Sequence, residues 1–343
     1  MKGSYTALVT PFKGESVDCE AIEHLVTFQI QNGITGILAV GTTGESPVLT
    51  WNEHNLVVEN VRRWTKGKCL CIAGAGSNNT MEAIDGTKHA ASMGVDAVLL
   101  VDPYYNGPSS LEIRKEYVAP VAKAFPDMQI IPYLIPGRTG TQLLPEDLAL
   151  LHREFKNVST VKEATGNPNN MRRIRECCGA EVSILSGDDG LTFGMMTDPE
   201  IRASGVISVV SNIAPKAVSQ MIAFVEAGKK EQARKLATAL APLSDLVTVK
   251  TKEMTPFGEV ECRARNPLAT KTLMQILGMP VGPCRRPLGK MTRKGLEKVL
   301  ATAKKVWAET PEILKPAAEF FGADIGERLN TPEYWKGLYY EGY

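Results

Sequence analysis

What most restricts the folding of this 343-residue chain is a rhythm. Eight short apolar runs recur, each followed by a longer stretch with helical spacing. The runs are Thr6–Phe12, Gly36–Gly41, Cys69–Gly74, Ala97–Asp102, Gln129–Ile135, Val158–Ala164, Val182–Ser186 and Gly205–Ser211. Each is about strand length, rich in Val, Ile and Leu, and apolar on consecutive positions. Strands with one wet face alternate apolar and polar residues; unbroken apolar runs mark strands covered on both faces, as in a parallel sheet.

The intervening segments carry helix signals. CEAIEHLVTFQIQNG places Ile22, Leu25, Val26 and Ile30 near helical spacing and stops at Asn32-Gly33. TWNEHNLVVENVRRWTKG opens at Thr50 with Glu53 three places on, a capping-box pattern. PEDLALLHREF starts on Pro145, suited to a first helical position. Eight strand–helix units in about 230 residues fit a (β/α)8 barrel. The rival is a doubly wound open sheet, which commonly carries GxGxxG after its first strand. No such loop is present, and the count favours the barrel.

From residue 230 the strand signals fade. KKEQARKLATALAPLSDLVTVKTKE, NPLATKTLMQILG and TRKGLEKVLATAKKVWAET read as helical. The expected organisation is a barrel over residues 1–229, a C-terminal helical region over 230–310 and an aromatic-rich extension over 311–343. That extension holds Phe320, Phe321, Tyr334, Trp335, Tyr339, Tyr340 and Tyr343, too much aromatic surface to leave in water. It is expected to pack on the body or on a neighbouring subunit.

Composition narrows the function. Lys+Arg number 39 against 38 Asp+Glu, so the basic excess typical of nucleic-acid binders is missing. No uncharged apolar run approaches the ~18–20 residues of a membrane span, and the N-terminus lacks signal-peptide architecture. The seven cysteines form an odd set without CxxC spacing. Reduced thiols, a cytoplasmic location and no metal site are expected. Walker, HExxH and GxSxG motifs are absent.

In a barrel, chemistry sits at the C-terminal strand ends and the loops after them. The second run ends in Gly41-Thr42-Thr43-Gly44-Glu45, a tight turn whose N–H groups can hold an anionic oxygen. On spacing alone it reads more readily as an ordinary turn with hydroxyls bonding local backbone. Lys162 lies inside the sixth apolar run. A lysine forced into a dry pocket loses its proton more readily, and the free amine can attack a carbonyl to form a Schiff base. The alternative is an ammonium that reaches solvent from the strand end. Tyr133 offers a phenol for proton relay. Arg138, aimed by Pro136-Gly137, can clamp a carboxylate or simply lie on the surface. Tyr104 and Tyr105 are adjacent phenols in the loop after the fourth run.

Taken together, GTTGES at 41–46, DPYYNGPS at 102–109, YLIPGRTG at 133–140, VKEATGN at 161–167 and LSGDD at 185–189 resemble the pyruvate-dependent class I aldolase family of dihydrodipicolinate synthase and N-acetylneuraminate lyase. GVISVVSN at 205–212 and NPLATKTLMQILG at 266–278 are also similar, and the likeness spans roughly residues 4–305. The resemblance implies a (β/α)8 barrel with C-terminal helices and no cofactor beyond a covalent imine. Lys162 would form that imine with pyruvate. Tyr133 would shuttle protons with Thr42 and Tyr105, the last crossing from a partner subunit. Thr43, Gly187 and Ile207 would line the substrate site, and Arg138 would hold the carboxylate of aspartate semialdehyde, giving 4-hydroxy-tetrahydrodipicolinate.

The resemblance further implies a homotetramer built as a dimer of dimers. It implies feedback inhibition by lysine at a cleft lined by Ser46, Trp51, His54, Asn78, Glu82 and Tyr104. A sister aldolase acting on a keto-deoxy sugar acid or a sialate is the same-class alternative, and a non-catalytic amino-acid-binding regulator the different-class one. Two departures stand out. Leu134 occupies a place where the family usually has Asn, which should alter the second-substrate pocket, and residues after about 305 exceed the usual family length.

Overall fold

In the computed structural model, which describes all 343 residues, the eight apolar runs become eight parallel strands. They are β1 (Gly3–Ala7), β2 (Gly36–Ala39), β3 (Leu70–Gly74), β4 (Ala97–Val101), β5 (Gln129–Leu134), β6 (Thr160–Glu163), β7 (Ser183–Ser186) and β8 (Gly205–Ser208). β1 pairs in parallel with both β2 and β8, so the sheet closes. The first strand starts earlier than its apolar run suggests. Leu8 and Val9 are buried in the loop beyond it, so burial alone extends the run without extending the strand.

Helices fill the spaces between strands: α1 (Cys19–Gln31), α2 (Trp51–Thr65), α3 (Thr80–Ser92), α4 (residues 110–124, with a π-wound middle at Ile113–Val118), α5 (Pro145–Glu154), α6 (Pro168–Cys178), α7 (Thr192–Thr197) and α8 (Pro215–Glu226). Their starts follow local chemistry. Thr50 caps α2, accepting from the Glu53 N–H while the Glu53 carboxylate accepts from the Thr50 N–H. This satisfies two otherwise orphaned donors.

The barrel has two apolar layers. One, inside the lumen, contains Tyr5, Leu38, Leu99, Ile131, Tyr133, Leu185 and Ile207. The other, between sheet and helices, contains Ile130, Leu134, Val161, Ile184 and Val206. Side chains alternate across a strand. With Val161 outside, Lys162 points into the lumen; with Leu134 outside, Tyr133 does. Leu134 is fully buried against the helices, so the expectation that it alters the second-substrate pocket is corrected: it faces away from the lumen.

Beyond the barrel come α9 (Lys230–Asp245), β9 (Thr248–Thr255), β10 (Gly258–Arg265), α10 (Leu268–Ile276), α11 (Arg293–Glu309), α12 (Lys315–Phe321) and α13 (Ile325–Asn330). β9 and β10 form an antiparallel hairpin. The segment ending DLVTVKTKE, read as helical, is therefore helix only to Asp245 and strand from Thr248. Its β-branched Val and Thr residues alternate with charges, and Val249 and Thr251 are buried while Lys250 and Lys252 are exposed. Period two with one wet face is a strand pattern.

The aromatic extension packs on the body through Phe320 and Phe321, while Tyr340 and Tyr343 near its end stay exposed. Phe320 and Phe321 place their ring centroids 5.3 and 5.2 Å from that of fully buried Phe28 on α1. Arg328 donates to the carbonyl oxygens of Ile276 and Gln275 at the end of α10. No helix is long and apolar enough to cross a membrane.

Candidate active site

Lys162 is the charged group that the barrel encloses most completely at its lumen. It is 5% exposed, and it stands directly opposite Tyr133 across the β5–β6 ladder. Its Nζ lies 4.1 Å from the Tyr133 ring centroid. Burial draws its pKa down to about 7, with the Asp189 carboxylate opposing the shift and the Arg138 charge adding to it. An amine with such a pKa is substantially neutral at neutral pH, which is what a carbonyl nucleophile needs.

Neighbouring residues shape the space around that amine. A Cβ built on Gly187 would come 3.1 Å from Lys162 Cε and 2.8 Å from Ala164 Cβ. Gly187 is thus where the lysine stem passes close to backbone. Ile207 is buried in the lumen layer. Burial pushes the Tyr133 phenol up to about 12, against the pull of the Arg138 charge and the Thr42 hydroxyl. A phenol with that pKa holds its proton until a strong base forms beside it.

Thr42, Tyr133, Arg138, Ser46 and Tyr104 line one cavity of about 200 Å³ at the C-terminal ends of β2–β5. Its β2 side is strained. Val40 and Glu45 adopt positive φ of 49° and 57°, unusual for a β-branched residue above all. The loop comes so near β3 that a Cβ on Gly74 would collide with the Val40 carbonyl oxygen. Thr43 is buried behind the cavity, its hydroxyl accepting from Asn266 Nδ2 at 2.9 Å. Arg138 stands at the mouth, on the helical turn Pro136–Thr139, with its guanidinium partly shielded from solvent, and donates to the Asn266 carbonyl at 3.2 Å. Tyr105 is not brought to this cluster: it is 87% exposed.

Of the second candidate group, Ser46 and Tyr104 line this same cavity. The Tyr104 N–H donates to Asn78 Oδ1 at 2.6 Å. Burial raises the Tyr104 phenol, and the nearby Glu82 carboxylate adds to that. Glu82 itself accepts from Ser77 Oγ. The Trp51 and His54 rings meet tilted at 59°, with centroids 5.0 Å apart. His54 is buried with Nε2 against the Gly74 carbonyl, and burial lowers it to about 4, so it is a neutral ring. Ser46 begins the short 3-10 turn Ser46–Val48.

Residue-by-residue reading missed several supports. Asp189, in the LSGDD segment, accepts from the Ser208 hydroxyl and from the Val209 and Val210 N–H groups, and faces Lys162 electrostatically. Glu163 is buried on the outer face, where it accepts from Thr165 N–H and hydroxyl and from Asn170 Nδ2, fixing the loop after Lys162. Glu45 forms a fully buried ion pair with Lys271 of α10 at 2.8 Å. The Lys271 ammonium also donates to the Thr10 and Pro283 carbonyls. The signal for Glu45 was a carboxylate in a turn otherwise made of Gly and Thr; its partner is 226 residues away.

The fold and this site define a (β/α)8-barrel protein with a buried, low-pKa lysine at a strand end, a constellation suited to carbonyl chemistry through a Schiff base. The chain belongs to the Dihydrodipicolinate synthetase family, whose model matches residues 1–306. It is 40% identical over 291 residues to a 4-hydroxy-tetrahydrodipicolinate synthase of Methanococcus maripaludis, covering 85% of this chain and 93% of the relative. The crystal structure of dihydrodipicolinate synthase from Aquifex aeolicus superposes with a TM-score of 0.81 at 36% identity, covering 92% of this chain and all of that one. A Cyanidioschyzon merolae enzyme of the same name, solved with lysine bound, gives 0.80 at 35% identity over 89% of this chain and 98% of its own.

Proposed function

We propose that this chain is a synthase that condenses pyruvate with L-aspartate 4-semialdehyde to give 4-hydroxy-tetrahydrodipicolinate, a step of diaminopimelate and lysine biosynthesis. The observation that carries the reading is Lys162, an amine buried in the barrel lumen and poised near pH 7. Family membership and relatives of that name support the substrate pair.

In this mechanism the Lys162 amine attacks the C2 carbonyl of pyruvate, and loss of water leaves an imine. The imine nitrogen, once protonated, is an electron sink, so a methyl proton is lost to water and an enamine forms. No external cofactor is needed for that step. The enamine carbon attacks the aldehyde, and the new alkoxide takes a proton from a positioned acid. Tyr133, which keeps its proton at neutral pH, fills this role, with Thr42 beside it. Attack on the imine carbon by the amino group of the chain-extended product closes the ring and frees Lys162.

The Thr42-Thr43 turn is assigned to the pyruvate carboxylate and Arg138 to that of the aldehyde. Its planar fork matches a carboxylate in two-pronged fashion. Tyr105 joins the relay in an assembly in which its exposed ring enters a partner's site; a tetramer of paired dimers is the proposed state. Lysine is proposed to bind the Ser46, Trp51, His54, Asn78, Glu82 and Tyr104 rim, with Glu82 facing its ammonium and Trp51 its aliphatic stem.

Borohydride reduction in the presence of pyruvate tests the whole reading. A mass adduct on Lys162, with turnover of aspartate semialdehyde and not of glyceraldehyde or N-acetylmannosamine, is the expected result. An adduct elsewhere, or none, ends it. Millimolar lysine should lower turnover and raise the melting temperature; no effect on either removes the regulatory part.

A further inference from the structure

Two guanidiniums stand together at the barrel mouth, and the reaction as described uses one. Arg138 rises from the turn after β5. Arg265 is the last residue of β10, and its Nη1 donates to the Gly137 carbonyl oxygen at 3.4 Å. The next residue, Asn266, accepts from Arg138 Nη2 and donates to Thr43 Oγ1. The end of the hairpin is thus fastened to both carboxylate-handling loops of the site. Arg265 is near enough that its charge disfavours protonation of Arg138, although burial is the larger cause of that shift. Both heads find only carbonyl oxygens here. A carboxylate placed between two such forks would receive charge-assisted hydrogen bonds that carbonyls do not equal.

We propose that Arg265 is a second carboxylate-recognition residue, acting with Arg138 to make the barrel mouth selective for anionic aldehydes. The inference rests on the proposed function and deepens it by naming what reads the second substrate. Arg265 does not line the cavity; its guanidinium reaches the Gly137 carbonyl, one residue before Arg138, which does. It therefore meets the aldehyde on entry and at its outer end, and leaves the Lys162 half-reaction untouched.

Steady-state kinetics on the full chain test this, with pyruvate saturating and either aspartate semialdehyde or a neutral aldehyde such as propionaldehyde varied. R265A should raise KM for aspartate semialdehyde about tenfold, the scale of one charged hydrogen bond, with kcat and pyruvate trapping little changed. R265K should recover part of the loss. The wild-type KM should rise with salt more steeply than that of R265A. R265Q, whose amide can still donate to the Gly137 carbonyl, separates charge from support and should behave like R265A. An unchanged KM in R265A and R265Q overturns the proposal, as does restoration by R265Q or an equal loss with the neutral aldehyde. Each of these leaves the proposed function standing. A wild type that traps pyruvate yet ignores aspartate semialdehyde overturns the substrate assignment instead, and this inference with it.

Discussion

Lys162 and Tyr133 are direct partners across adjacent parallel strands, with the amine nitrogen 4.1 Å from the centre of the phenol ring. Both side chains point into the lumen because both strands present alternate residues there. The two groups are matched by opposite effects of one cause. Burial lowers the lysine to about 7 and raises the tyrosine to about 12, so at neutral pH both can be uncharged at once: a nucleophile beside an acid.

The first prediction follows from that lysine. Trapping of pyruvate should accelerate as pH rises through about 7 and level off above it, because the ammonium is inert and the amine reacts. K162A should give no adduct at position 162. The same shift has a stability signature. Between about 7 and the ordinary lysine value near 10.4, the unfolded chain binds more protons than the folded one. Wild type should therefore gain stability relative to K162M as pH rises across that window. Urea titrations at pH 7 and pH 9.5 check the sign.

Arg138→Ala should separate the two half-reactions. Adduct formation with pyruvate should persist, while KM for aspartate semialdehyde rises by about ten- to hundredfold, as expected for a lost charged hydrogen-bonding partner. Unchanged aldehyde kinetics would remove the main support for the substrate assignment.

Asp102 gives a prediction of opposite sign to Lys162. It is wholly buried at the end of β4, accepts from the Leu143 N–H, and its other oxygen has no partner. Burial raises it to about 7. Between about 4, its ordinary value, and 7 the folded chain holds more protons, so wild type should lose stability relative to D102N as pH rises through that range. Melting temperatures at pH 5 and pH 8 measure it.

The Glu45–Lys271 pair should be costly to break from one side. K271M or E45Q alone leaves a buried group without its partner, a loss of about 3–5 kcal/mol. Replacing both should cost less than the sum of the two, and a double-mutant cycle in urea reads the coupling. Phe28→Ala should cost about 3–5 kcal/mol, since the ring holds both Phe320 and Phe321, while pyruvate trapping survives.

The barrel was readable because strands covered on both faces cannot hide their composition, and Lys162 was readable as the one cation inside such a run. The β9–β10 hairpin was not. Its strands bury few large side chains, its exposed face is mostly charged, and α9 runs into it with only Leu246 and Val247 between. Leu134 was misjudged for a related reason: adjacency to Tyr133 in sequence means opposition across the sheet. Glu45–Lys271, Asn266–Thr43 and the Arg285–Glu53 ion pair at 2.8 Å join residues more than 200 positions apart, and no local pattern announces them.

Those three ties have a bearing on how the protein is made. Every group assigned to the Lys162 half-reaction lies before residue 210, yet Thr43 and Arg138 are braced by Asn266, Glu45 by Lys271 and Glu53 by Arg285. A nascent chain that holds only the eight barrel strands therefore lacks every one of these braces.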